Sequence, residues 1–494
     1  MIAASALLPF ALASLASTAP ARYDGHALVR VWLDDAAALA SLRARVDEVW
    51  TEHPGRGFVD VRVRPHQLAA LRRSGIPFEL RVADLQAGID AERTRLAAAP
   101  HPTASTWFDD FRDYDAIMDQ LDAMAAAAPH RVSVVDVGVS LQARPIRALR
   151  ISDAPPGAPA VLYSGTMHAR EWLATMATMC VADRFATADD AVVAELLSAI
   201  EIWVVPVINP DGYVISWTED RYWRKNARDG YGVDLNRNWD YQWAVVGASD
   251  DPWAEDYHGP APFSEPESSA LRDFIVARPQ LRAHIDFHSF SQLVLRPWGY
   301  DYSLPPDEAT LSTLGQQMSD AMWDATGTDY ASIHAAELYP AAGAVDDWGY
   351  GVQGLMAFTI ELRGDDFVVP PSQIGPACDE NVAAALQLAA WVRQMAPQPP
   401  DHGGTTGDGS PPGDAGSSSG DAGAEGDGGA PGSSDGGDDP SPGDAAPEGA
   451  ALPPGFGLGS EAAGGCRLGD TAPLPWWLVL APWLVRRRPA RQGT

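Results

Sequence analysis

A chain of 494 residues that is 46% hydrophobic and carries 17 tryptophans has material for at least one large core, which excludes global disorder. A formal net charge of −31 excludes electrostatic binding to nucleic acid, which needs a basic surface to displace counterions from phosphates. The length allows two or three folded units plus tails, and every charged residue from Asp401 to Glu461 is an acid, so one tail exaggerates the acidity of the folded body.

Residues 1–21 hold an apolar, Ala/Leu-rich run and then Ser17-Thr18-Ala19-Pro20-Ala21, the pattern of a cleaved signal peptide. No basic residue precedes the run, and the start of a buried helix is the other reading. Residues 22–98 alternate strand-like runs (HALVRVWL, GFVDVRVR, FELRV) with amphipathic stretches at 37–49 and 66–73, an α+β pattern of small-domain size. The stretch AERTRLAAAPHPTAST then has the composition of an exposed, cleavable linker.

From residue 104 to 398 apolar runs (VSVVDVG, IRALRIS, PAVLYSGT, IEIWVVPVIN, LRAHIDFHS, LMAFTIEL) interleave with helical ones such as WLATMATMCVADRF. Near-continuous apolar strands predict a sheet buried on both faces, hence an α/β/α sandwich with a mixed, mostly parallel sheet. Three cysteines cannot build a disulfide framework, and Cys180, inside an apolar helical pattern, is expected as a buried thiol. Residues 399–465 are low-complexity Gly, Asp, Ser, Pro and Ala and are expected to be a disordered spacer. Residues 466–494 combine Cys466, a Trp/Leu-rich stretch short for a membrane span, and Arg486, Arg487, Arg488 and Arg491, where the positive-inside rule would place them.

His168-Ala-Arg-Glu171 directly follows the run PAVLYSGT. A histidine and a carboxylate three residues apart on a tight turn can meet one metal, although the bare pattern is common by chance. His288 ends the run LRAHIDF and reads, alone, as a structural histidine; as a third donor delivered to the sheet edge it completes a catalytic metal set. Asp234 is the candidate to hold a ligating imidazole in one tautomer. Glu361 sits late in a strong β-run, where a salt bridge to Arg363 or an exposed edge is the ordinary explanation and general acid–base work near a metal the other. Arg224, Asn236, Arg237 and Tyr339 lie in loops expected at the strand ends, the usual crevice of α/β sheets, and arginine forks suit a terminal carboxylate.

HAREW, YWRKN, DLNRNWD, YHGPAPFSEPE, HSFSQLVLRPWGY, the Tyr339 loop and TIELR occur in the order and at the approximate intervals of the zinc carboxypeptidases of the A/B type, which this chain resembles over nearly all of 105–395. The resemblance implies one Zn2+ held by His168, Glu171 and His288, with Glu361 as general base and acid and Arg224 stabilising the oxyanion. It implies Arg170 as an ancillary substrate-binding arginine, and Asn236, Arg237 and Tyr339 as the grip on the C-terminal carboxylate. Asp346 stands where B-type enzymes carry an aspartate, implying a preference for C-terminal Lys or Arg unless it turns outward or pairs locally. Phe290 replaces a frequent tyrosine, and the pancreatic disulfide has no counterpart near Gly230.

The segment from Tyr23 to about Arg95 resembles the family's propeptide, with Arg93 and Arg95 as cut sites for an activating protease, and the tail resembles myxobacterial Cys-containing sorting signals. The expected protein is a secreted monomeric zymogen acting on peptides and proteins with a free C-terminus, with attachment to the cell surface through the tail. Two other readings share the fold: a surface protein that binds peptide ends without cutting them, and a zinc peptidase of cell-wall peptides.

Overall fold

The computed structural model describes residues 20–33, 36–53, 57–99 and 101–396. The signal peptide read at 1–21 lies almost wholly outside the described residues, as do the spacer at 399–465 and the segment 466–494 with Cys466.

The N-terminal domain begins with β1 (Ala27–Trp32), α1 (Ala36–Arg43), β2 (Glu48–His53) and β3 (Phe58–Val63). It continues through α2 (Pro65–Ser74), β4 (Phe78–Val82) and α3 (Leu85–Ala98). Its antiparallel sheet runs β2-β3-β1-β4. The period-2 pattern of β1 and β3 sends Val29, Val31, Val59, Val61 and Val63 into one core with Leu42 and Leu71. Leu28 goes to the opposite face and packs with Trp50, Leu85 and Ile89 against Tyr222, Phe290 and Phe367 of the larger domain. The structure departs from the expectations drawn from sequence twice here. The helix expected over 37–49 stops at Arg43, and Glu48–His53 form a strand whose register with β3 shifts at Trp50. The segment AERTRLAA, read as linker, is the second half of α3, which Asp84 caps through the Gln86 and Ala87 amides.

The larger domain opens with α4 (Tyr114–Ala127), β5 (Val132–Val139), β6 (Pro145–Ile151), β7 (Ala160–Gly165), α5 (Trp172–Thr187) and α6 (Ala191–Leu197). Then come β8 (Glu201–Val205), α7 (Pro210–Thr218), α8 (Pro266–Val276), β9 (Leu281–Ser289) and β10 (Leu293–Arg296). It closes with α9 (Glu308–Thr326), β11 (Ala331–His334), α10 (Ala335–Leu338), α11 (Val345–Gly351), β12 (Met356–Leu362) and α12 (Ile374–Arg393). The eight-stranded sheet has the order β11-β10-β12-β9-β7-β8-β6-β5. Its core β12-β9-β7-β8 is parallel, as is β11-β10, while β10-β12, β8-β6 and β6-β5 are antiparallel. This is the expected α/β architecture with a mixed, mostly parallel sheet; the short β10 and β11 add to the strands read from apolar runs.

Every residue of β7 and β8 is buried, as strands covered on both faces require. The Tyr163 hydroxyl donates to the Ala385 carbonyl of α12 at 2.7 Å, which fixes the face on which α5, α9 and α12 pack. Ser164, and with it Asp286, His288 and Glu361 through the strand register, point to the other face. Gly165 permits the close approach of α5: a Cβ there would stand 2.4 Å from the Thr178 hydroxyl.

Cys180 of α5 is not a free thiol. It forms a disulfide with Cys378 of α12 across a Cα separation of 5.5 Å. Local pattern placed Cys180 in a buried helix correctly, but not its partner, 198 residues away. Among the described residues, no helix is long and apolar enough to cross a membrane.

Candidate active site

The site lies at the C-terminal ends of the parallel strands β7, β9 and β12, where an α/β sheet leaves its crevice. His168 and Glu171 occupy the turn between β7 and α5, with Glu171 immediately before the helix. His288 stands near the end of β9, and its Cα partner on β12 is Glu361. Both strands are interior to the sheet. That rules out the exposed edge for Glu361, and Arg363 pairs with Glu380 at 2.9 Å.

His168 Nδ1 lies 2.9 Å from Glu171 Oε1 and 3.0 Å from His288 Nδ1, which in turn lies 3.1 Å from Glu171 Oε2. Two imidazole nitrogens and a carboxylate thus face one point, all within 4.8 Å of one another and all buried. The Ser289 amide donates to Glu171 Oε2 at 3.1 Å and fixes that carboxylate from the strand side. Burial opposes the charge on Glu171, but His168 and His288 hold its carboxyl well below the ordinary range. The outer nitrogens are also held: His168 Nε2 by Asp234 Oδ1 at 3.1 Å, and His288 Nε2 by Asp286 Oδ2 at 2.6 Å. Nε2 protons placed on these carboxylates would leave both Nδ1 atoms free to donate lone pairs to a cation between them. Two neutral imidazoles and one carboxylate are the donor set that zinc accepts, so the residues fit the metal.

Around this cluster opens a cleft lined by Arg224, Asn236, Arg237, Tyr339, Asp346, Thr359 and Glu361 among others. Arg224 donates to Asp234 Oδ2 from Nη2 at 2.8 Å, and its Nη1 is 4.0 Å from Glu171. Arg237 donates from Nη2 to the Tyr339 hydroxyl at 3.0 Å, while Nε and Nη1 are tied to the carbonyls of Gly247 and Asn236. Asn236 Oδ1 accepts from the Val345 amide at 3.0 Å, joining this loop to α11. Gly343, at φ 72°, sustains the same junction, since a Cβ would stand 2.6 Å from the Arg237 carbonyl. Desolvation pushes the half-buried Glu361 carboxyl up to about 7 against the pull of His288 and Arg224, a range suited to exchanging protons near neutral pH.

Asp346 and Asp347 open α11 and divide its roles. Asp347 accepts from the amides of Gly299 and Tyr300 at 2.8 to 3.1 Å and is spent on backbone. Asp346 accepts from the Asp347 amide at 3.0 Å and lines the cleft, 3% exposed, with no cationic side chain in ion-pair range among the described residues. It therefore turns inward.

Of the residues read from sequence, Arg170 differs most in surroundings. Its Nη1 donates to Glu48 of the N-terminal domain at 2.6 Å, and its guanidinium sits 4.3 Å from the Phe367 ring centroid. Trp50 of the same domain lines the cleft. Asp286 escaped the sequence reading, although Asp-x-His on a strand places both side chains on one face. Glu48 and Trp50 escaped it because the pairing of two domains leaves no local signal.

A family model described as zinc carboxypeptidase matches residues 117–384. The chain is 34% identical to zinc carboxypeptidase A 1 of Anopheles gambiae over 408 residues, covering 78% of this chain and 93% of the relative. It is 37% identical to carboxypeptidase B of Astacus astacus over 295 residues, covering 57% and 97%. The solved structure of carboxypeptidase A from Helicoverpa armigera matches with a TM-score of 0.68 at 30% identity, covering 76% of this chain and 98% of that one. With the convergence of His168, Glu171 and His288 on one point, these likenesses establish that the chain belongs to the zinc carboxypeptidase family and is a metallocarboxypeptidase.

Proposed function

We propose that this enzyme removes the C-terminal residue of peptides and proteins, Lys and Arg ahead of others, and that the N-terminal domain keeps it latent until cut. His168, Glu171 and His288 would hold one zinc ion, which when bound would supply Lewis acidity at the scissile carbonyl. Glu361 takes a proton from the attacking water and passes it to the departing amine nitrogen. Arg224 donates to the oxygen on which negative charge develops. Asn236, Arg237 and Tyr339 grip the terminal carboxylate, and Arg170 binds the substrate further from the scissile bond.

Asp346 carries the basic preference. Burial holds its carboxyl above the ordinary range, so an entering ammonium or guanidinium would repay a desolvation that an apolar side chain would not. Relatives named both A and B are among those matched, so the preference rests on this residue rather than on the comparisons.

Latency is supported by the Glu48–Arg170 ion pair, which engages the arginine assigned to substrate, and by Trp50, which lines the cleft from the N-terminal domain. The cut sites proposed at Arg93 and Arg95 lie within α3, and Arg95 is also paired with Asp110 at 3.0 Å, so activation would require that end of the helix to unwind. The Cys180–Cys378 disulfide supports a secreted enzyme, since such bonds persist in oxidising compartments. Surface attachment through residues 466–494 is retained as part of the proposal on sequence grounds.

The test is release of Arg, Lys and Phe from matched peptides after limited proteolysis, with and without a chelator, for the wild type and Asp346→Ala. Faster release of Arg and Lys, reversed in the variant and abolished by the chelator, is expected. Phe released as fast as Arg by the wild type would refute the basic preference, and chelator-resistant release would refute the metal.

A further inference from the structure

Beneath the metal cluster a line of polar side chains runs through the apolar interior. Ser164 on β7 and His284 and Asp286 on β9 are each 0% exposed. The Ser164 hydroxyl oxygen lies 2.7 Å from His284 Nε2 and 2.6 Å from Asp286 Oδ1, and Asp286 Oδ2 lies 2.6 Å from His288 Nε2. Lys and Arg provide no partner for Asp286 among the described residues: its one ion pair is with His288. A buried carboxylate without a cation is costly, so a strand residue whose only task was packing would be apolar.

The hydrogens in this line can be placed by elimination. Ionised Asp286 only accepts, so the single Ser164 proton goes to it. Ser164 must then accept from His284, which puts the His284 proton on Nε2 and leaves Nδ1 bare; that Nδ1 has no hydrogen-bond partner among the described residues. Burial pushes His284 down to about 4, in keeping with a neutral ring. The line therefore has one polarity, from His284 through Ser164 to Asp286, and Asp286 accepts the His288 Nε2 proton. In that tautomer the His288 Nδ1 that faces His168 Nδ1 and Glu171 is the atom left to bind a cation.

We propose that Asp286, itself held by Ser164 and His284, is a positioning residue that locks His288 in the zinc-binding tautomer, as Asp234 does for His168. The proposal rests on the zinc reading above and deepens it. Both imidazoles are then backed by carboxylates, which raises their basicity as ligands and slows loss of the metal.

The test uses the purified full chain and has two readouts besides turnover. Zinc affinity is measured by competition with a chromogenic chelator, together with zinc content and apoprotein melting. In the cobalt-substituted protein, solvent exchange of the His288 Nε2 proton is followed by its shifted NMR line. Asp286→Ala should weaken zinc binding about 10- to 100-fold. Asp286→Asn, nearly isosteric, and Ser164→Ala should show smaller losses, and the His288 proton should exchange faster in all three. Asp286→Asn and Ser164→Ala proteins that melt like the wild-type apoprotein keep the result from reflecting misfolding. Variants that hold one zinc as tightly as the wild type, with unchanged proton exchange, would overturn the positioning role alone. A wild-type chain that takes up no zinc would overturn the metal reading and this inference with it.

Discussion

Arg170, in the turn that carries two of the metal-directed side chains, donates to Glu48 of the N-terminal domain at 2.6 Å, with side chains only 2% and 7% exposed. Glu48 is gripped from the other side by Arg62 at 2.9 Å, within its own domain. Burial alone would raise the Glu48 carboxyl, yet Arg170 and Arg62 hold it below its ordinary range, so it remains charged in the interface.

Without Glu48, Arg62 keeps Asp47 at 2.7 Å but Arg170 keeps only the more distant Glu255 at 3.9 Å, so the loss should approach but not exceed the roughly 3–5 kcal/mol of a broken buried pair. Glu48→Ala should therefore loosen the N-terminal domain, and the uncut variant should hydrolyse a small synthetic substrate faster than uncut wild type. An uncut variant as silent as the wild type would show that the ion pair has no part in latency.

The disulfide makes a separate prediction. Cys180 is on the helix that Glu171 precedes, and Cys378 is on the helix packed against it, so the bond closes a long loop of the unfolded chain. Cys180→Ala should lower stability by about 2–5 kcal/mol, and reductant should shift the wild-type Tm toward that of the variant. A wild-type Tm insensitive to reductant, at full reduction verified by thiol titration, would contradict this.

Asp366 gives a pH dependence with a definite sign. Burial pushes its carboxyl up to about 7, above the 3.8 of a free aspartate. The folded chain then holds a proton that the unfolded chain has lost between these values, so stability is full below about 4 and falls as pH rises through 7. Asp366→Asn can keep the Asp366 Oδ1 contact with the Val368 amide while removing the charge. It should stabilise the fold at pH 8 by roughly 1–2 kcal/mol after allowance for solvent screening, seen as a higher Tm, and leave the Tm unchanged at pH 4. Denaturation scans at both pH values distinguish this from a pH-independent gain, which would refute it.

Arg224 is expected to act in the transition state. Arg224→Ala should lower kcat by about 100- to 1,000-fold with little change in KM. Because Arg224 also holds Asp234 at 2.8 Å, metal content must be measured beside the kinetics. A rise in KM at constant kcat would reassign Arg224 to ground-state binding.

What the sequence made legible follows from the range of the forces involved. The runs PAVLYSGT, LRAHIDFHS and LMAFTIEL appear as β7, β9 and β12 because strands buried on both faces must be apolar throughout, and each run delivers a site residue where it ends. Glu361 and His288 fall in register because those strands are parallel neighbours, a relation no spacing encodes. Asp286 was readable from strand periodicity once His288 was suspected. The Cys180–Cys378 bond, the Glu48–Arg170 pair and the place of Trp50 in the cleft wall depend on packing between segments far apart in the chain. Strand β2 was mistaken for the end of a helix because EVWTEH alternates too weakly to outweigh the helical residues before it.

The most direct test of the account is release of C-terminal Arg by the zinc-loaded, proteolytically activated wild type beside Glu361→Gln. Gln keeps the shape of Glu361 and cannot take the proton. The variant should retain one zinc per chain while its rate falls by about 100- to 10,000-fold. A zinc-loaded variant that releases Arg at the wild-type rate would contradict it.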